Sequence, residues 1–114
     1  MTVKVYTVEQ ANRLLPAVEE ALRFLRVKAA EIVRTQDRLA ILSLIGGNGS
    51  KSPERREMEH KSRGLQELGL AYNDRLQELN RIGCVVKDLN HGLVDFYGRK
   101  GDRFIFLCWK LGEK

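Results

Sequence analysis

The sequence predicts an α+β fold: a long antiparallel helical hairpin with a small three-stranded antiparallel sheet, a meander, at its base. Three observations predict it. Leu15, Val18, Leu22, Leu25, Ala29, Ile32, Gln36, Leu39 and Ser43 recur at alternating steps of three and four, the seam of a long helix. A glycine-rich break, Gly46-Gly47-Asn48-Gly49, separates that helix from a second helical pattern. After Gly83 the period becomes strand-like, with turn residues between three short apolar runs.

The elements follow in order. Val3-Lys4-Val5-Tyr6 alternates and is β-prone, so it reads as an edge strand or an apolar lead-in. Thr7 with Gln10 three residues on has the form of a capping box. Pro16 lies too far inside to be a first helical position of that helix and removes one hydrogen bond, so either one kinked helix over residues 8–44, the preferred reading, or a short helix ending near Leu14 and a long one from Pro16 is expected. Val33, Ala40 and Leu44 widen its apolar stripe beyond one seam, which suggests more than one neighbour. Ser52-Pro53-Glu54 restarts a helix with a cap, a first-turn proline and an acid at the positive end. Its apolar positions are Met58, Leu65, Leu68, Tyr72, Leu76, Leu79 and Ile82. Its first turns are charged nearly all round, and Gly64 and Gly69 weaken it or let two helices approach closely.

Cys84 to Lys87, Leu93 to Tyr97 and Arg103 to Lys110 read as strands, with Gly98 to Asp102 as the second turn. Alternation puts Phe104, Phe106 and Cys108 on one face and Ile105, Leu107 and Trp109 on the other. Both faces are apolar, so both are expected to be covered. The whole reads as one domain, residues 1–114. A strand and kinked helix occupy 1–45, a glycine-rich tip 46–52, the second helix 53–83 and the meander 84–114.

Composition narrows the function classes. With 20 Lys and Arg against 15 Asp and Glu, the net charge is +5 and the pI about 9.5. That permits nucleic-acid contact, but acids and bases interleave and no segment is a basic block. No apolar run approaches the ~20 residues of a membrane span, and the N-terminus has no secretory core. Two cysteines make no disulfide framework, and both lie in apolar runs where a thiol acts as a small buried hydrophobe. A cytoplasmic protein without a membrane segment is expected.

No catalytic or cofactor motif stands out. The glycine-rich break follows a helix and reads Gly49-Ser50-Lys51, not the Gly-Lys-Ser/Thr order of a phosphate loop. Cys84, His91, Asp95 and Cys108 lack the spacing of a metal site, so neither metal nor cofactor is expected. His60 reads as part of a solvated helix face and His91 as a turn residue. Asp95 lies mid-strand between Val94 and Phe96; if its face is covered it needs a basic partner such as Arg103 or Lys110. Tyr97, Arg99 and Lys100 set an aromatic beside two basic residues at a hairpin end, a pattern that can meet phosphate or a base. The candidate functional surface is therefore Asp95, Tyr97, Arg99, Lys100, Arg103 and Trp109.

The runs Tyr6-Thr7-Val8-Glu9-Gln10-Ala11-Asn12-Arg13-Leu14-Leu15-Pro16, Gly92-Leu93-Val94-Asp95-Phe96 and Leu107-Cys108-Trp109-Lys110-Leu111-Gly112-Glu113 resemble the uncharacterised prokaryotic domain-of-unknown-function family 2203. The resemblance spans nearly the whole chain, with its specific part at the C-terminal end. It implies a small bacterial or archaeal cytoplasmic protein with no assigned activity, and supplies no catalytic residues. Three functional readings follow. The first is a structural or interaction module that self-associates, as a dimer, through its helical and sheet surfaces. The second is an RNA- or ribosome-associated binder. The third is an enzyme or small-ligand site around Asp95 and Trp109.

Overall fold

The computed structural model describes residues 5–45, 52–100 and 103–112. Its elements are α1 (Val8–Ile45), α2 (Pro53–Arg81), β1 (Cys84–Asp88), β2 (Leu93–Lys100) and β3 (Arg103–Lys110). Two long helices followed by an antiparallel sheet of order β1-β2-β3 make this an α+β chain. Backbone proximity divides it into two units, Met1–Arg26 with Asp74–Lys114, and Val27–Asn73.

The first unit holds most of the buried apolar residues. Thr7 caps α1 reciprocally: its Oγ1 accepts from the Gln10 amide at 3.1 Å, and its own amide donates to Gln10 Oε1 at 3.0 Å. The helix then runs unbroken through Pro16. Ala11, Val18, Ala21, Leu22 and Leu25 form its buried stripe, against Leu79 of α2 and Cys84, Val94, Phe96 and Trp109 of the sheet. Phe96, Leu22 and Leu25 are fully buried, each stabilising by about 1.5–3 kcal/mol. Gly83 ends the second helix at φ 85°, a left-handed position that a glycine takes without strain, and its amide donates to the Asn80 carbonyl at 3.0 Å. Before α1, the Tyr6 amide donates to Tyr97 O at 2.8 Å in a parallel bridge, and the Tyr6 hydroxyl donates to Ile82 O. The lead-in thus adds to β2 where β1 has ended. The short segment Val3-Lys4 lies outside the described residues.

The register sets the sheet's faces. Cys84 pairs with Phe96, Val85 with Asp95 and Val86 with Val94, and the ladder then shifts before Asp88 meets Leu93. Across the other side of β2, Leu93 pairs with Lys110, Asp95 with Cys108, Tyr97 with Phe106 and Lys100 with Arg103. Gly98, Arg99 and Lys100, expected in the turn, therefore belong to β2. Gly98 is there for close approach: a Cβ on it would lie 2.8 Å from Leu107 Cγ. Residues 101–102 of the expected turn, like the glycine-rich tip at 46–51, lie outside the described residues.

The second unit pairs the distal part of α1 antiparallel with that of α2. Ser52 caps α2, its Oγ accepting from the Arg55 amide at 3.1 Å. The seam expected at Gln36 and Ser43 lies one residue earlier. Thr35 is half-buried and Leu42 fully buried, while Gln36 and Ser43 are exposed. Leucine has more apolar surface to bury than serine, and Thr35 satisfies its own hydroxyl on Glu31 O at 2.8 Å, whereas Gln36 would have to bury an amide. Arg38 holds Glu57 in a two-pronged pair, at 2.6 and 2.9 Å. Gly64 and Gly69 have nothing within 4 Å of an added Cβ, so neither serves close helix packing.

Candidate functional site

Alternation along β1, β2 and β3 sorts the sheet into two unlike faces. Cys84, Val94, Phe96, Leu107 and Trp109 lie on the face that meets the helices. Val85, Asp95, Tyr97, Phe106 and Cys108 lie on the other. That second face was expected to be covered; instead Phe106 is 60% exposed, and Val85 and Cys108 are exposed too. Within the first unit the buried helical residues, Ala11 to Leu25 of α1 and Leu79 of α2, are spent on the first face.

Asp95 sits at the middle of this open face, yet is only 8% exposed. Its flanking strands shield it: Val85 is its neighbour on β1 and Cys108 on β3. Its ion-pair partner among the described residues is Lys87 rather than Arg103, with Nζ 3.5 Å from Oδ2. Arg103 stands opposite Lys100 at the sheet end and shares the face of Trp109, on the far side from Asp95. Lys87 is a loose partner, its side chain 64% exposed. Asp95 Oδ1 is buried and accepts no hydrogen bond among the described residues. A carboxylate oxygen so placed costs stability unless something donates to it.

The Asp95 charge is felt by both cysteines. Burial first, and then Asp95, pushes the Cys84 thiol up to about 12. Cys108 is exposed, against the expectation that both thiols are buried, because its register position opposite Asp95 turns it to the open face. Its thiol lies against the Asp95 carboxylate, and that contact, ahead of desolvation, raises its pKa. The largest cause is a side-chain hydrogen bond from the thiol to the Asp95 carboxylate, of which Oδ1 is the unpartnered oxygen. A thiol kept protonated is a poor nucleophile.

The other expected site residues are dispersed. Tyr97 is half-buried and its ring packs 5.2 Å from that of Phe106, tilted by 44°. Arg99 pairs with Phe104 and Lys100 with Arg103 at the end of the β2–β3 ladder. Trp109 is buried on the helix side, opposite Val94. There it lines a cleft of about 330 Å³ with Val8, Ala11, Leu15 and Phe96, which the β3 residues Phe106 and Cys108 also border, but Asp95 does not. Asp95 and Trp109 therefore do not share a site. In the second unit, a groove of about 410 Å³ is lined by Lys28, Thr35, His60, Lys61, Glu67 and Leu68, so His60 borders a concavity as well as solvent.

Sequence reasoning missed Val85, Lys87 and Phe106 as neighbours of Asp95. The signal that would find them is the register, which depends on the shifted pairing after Val86. It also missed Arg26, whose Nε and Nη2 donate to Leu89 O at 3.0 Å and Asn90 O at 2.7 Å, fixing the β1–β2 turn to α1. In that turn the Asp88 carboxyl is held below the usual range, first by its bond from the His91 ring at 2.8 Å. Among the described residues no three His, Cys, Asp or Glu gather as metal ligands, and no helix is long and apolar enough to cross a membrane.

These features define a small α+β protein whose distinctive chemistry, a buried and under-satisfied carboxylate among apolar groups, lies on an open sheet face. The chain belongs to the family described as Uncharacterized conserved protein (DUF2203), whose model matches residues 4–114. No curated protein and no solved structure matches it.

Proposed function

We propose that this protein is a small structural and interaction module that works as a homodimer. The observation that carries this reading is where the exposed large apolar side chains fall. Most lie on two surfaces, the open sheet face with Val85 and Phe106, and the outer side of α1 with Val27, Val33, Ile41, Leu44 and Ile45. Contiguous apolar surface of this kind is what a subunit interface covers. The two free thiols, on opposite faces of one sheet, suit a reducing compartment and support a cytoplasmic setting. An RNA-binding role draws on the net charge and on Tyr97, Arg99 and Lys100 at the hairpin end, whereas Arg23, Lys28, Arg38, Arg55, Arg75 and Lys87 are already paired with carboxylates of the chain. An enzyme built on Asp95 and Trp109 would need them in one cleft, and they lie on opposite faces.

Sedimentation velocity of the full chain under reducing conditions tests the reading. A species of twice the 13.1 kDa chain mass is expected at micromolar concentration. A monomer throughout that range would refute it.

A further inference from the structure

The outer side of α1 carries a second heptad stripe, distinct from the seam that meets α2. It reads Val27, Ala30, Arg34, Asp37, Ile41, Leu44, with steps of three, four, three, four, three. All six residues are exposed, Leu44 by 88%. The stripe spans 18 residues, about five helical turns or ~27 Å. Val33 and Ala40, also exposed, widen it on one side.

The stripe is its own mirror image. Reflected about the point between Thr35 and Gln36, Val27 exchanges with Leu44, Ala30 with Ile41 and Arg34 with Asp37. Large meets large at the ends, small meets large one turn in, and opposite charges meet at the centre. Arg34 and Asp37 form no ion pair within the described residues, while the charged neighbours facing α2 are already used. Lys28 pairs with Glu31 at 3.7 Å and Arg38 with Glu57.

We propose, resting on the self-association reading above, that two copies of this chain dimerise through this stripe. The two α1 helices run antiparallel about a two-fold axis between Thr35 and Gln36, with Arg34 of each copy paired to Asp37 of the other. An isologous contact requires a self-complementary patch, and this one is self-complementary in size and in charge. The charges also select the direction. A parallel pairing sets Arg34 against Arg34 and Asp37 against Asp37; the antiparallel one makes two ion pairs. The open sheet face lacks this symmetry. A two-fold axis through the middle of β2 would bring two Asp95 carboxylates together.

The test is a charge swap read by sedimentation under reducing conditions. Arg34→Asp sets like charges together at both ends of the central pair. It should weaken the dimer at least about tenfold, at unchanged far-UV circular dichroism, since the position is exposed. Arg34→Asp with Asp37→Arg restores the pairing and should recover the dimer. Phe106→Ser, on the sheet, should leave it intact. As an independent readout, Ala30→Cys and Ile41→Cys chains, each in a Cys108→Ser background, should form the mixed disulfide in preference to either homodisulfide. A wild-type dimer that ignores Arg34→Asp, or is not recovered by the double swap, overturns the stripe while leaving self-association standing. A wild-type monomer overturns both.

Discussion

Replacing Asp95 by valine should stabilise the protein. The opposing effects can be weighed from the structure. Asp95→Val removes the pair with Lys87, which is held at 3.5 Å by a lysine that is 64% exposed. Such pairs are worth about 0–1 kcal/mol. The same change removes the buried Oδ1, which accepts no hydrogen bond among the described residues. An unsatisfied group of this kind costs about 1–3 kcal/mol. Valine also suits a strand position flanked by Val85 and Cys108. With the weak hydrogen bond from the exposed Cys108 thiol also lost, the net gain is about 1 kcal/mol. With a urea slope of about 1–1.5 kcal/mol/M for a chain this size, the unfolding midpoint should rise by roughly 0.7–1 M at fixed protein concentration. A second readout isolates the electrostatics. Asp95 is the largest cause of the raised Cys108 pKa, so the pH profile of Cys108 alkylation should move to lower pH in the variant. A midpoint that falls by ~0.5 M, or a thiol profile that does not move, would refute the reasoning.

Other perturbations give equally definite expectations. Gly92 sits at φ 67°, and an added Cβ would lie 2.5 Å from Leu111 Cβ. Gly92→Ala should therefore cost about 2–4 kcal/mol in urea unfolding, from left-handed strain plus overpacking. Gly69→Ala meets nothing within 4 Å and should stabilise by about 1 kcal/mol in the same assay. In the native protein a thiol reagent should modify Cys108 alone, with Cys84 reacting only on unfolding, because Cys84 is buried and its pKa lies near 12. Arg38 holds the Glu57 carboxyl below its ordinary value, chiefly through the side-chain hydrogen bond. A depressed folded-state pKa gives stability that is present above the unfolded carboxylate range and lost as pH falls through the folded value. The protection of amides in the second unit, taken relative to their intrinsic exchange rates, should accordingly fall on acidification through that window, and Glu57→Gln should flatten the dependence.

The sequence by itself determined the elements and their order. Thr7 with Gln10, Ser52 with Pro53, and Gly83 mark helix ends by local chemistry that needs no tertiary partner, and each is found in that role. The α+β class and the meander follow from the change of period at Gly83. What only the tertiary structure decided was phase. A helix with apolar residues on two stripes has more than one way to turn, and Leu42 in place of Ser43 shows which side α2 takes. A strand apolar on both faces does not say which one the helices will claim. The register answers that, burying Trp109 and leaving Phe106 and Cys108 on the side of Asp95. Asp95 and Trp109 could be grouped from the sequence because both stand out there. The pleat separates them, since strand neighbours of opposite parity point to opposite sides of the sheet.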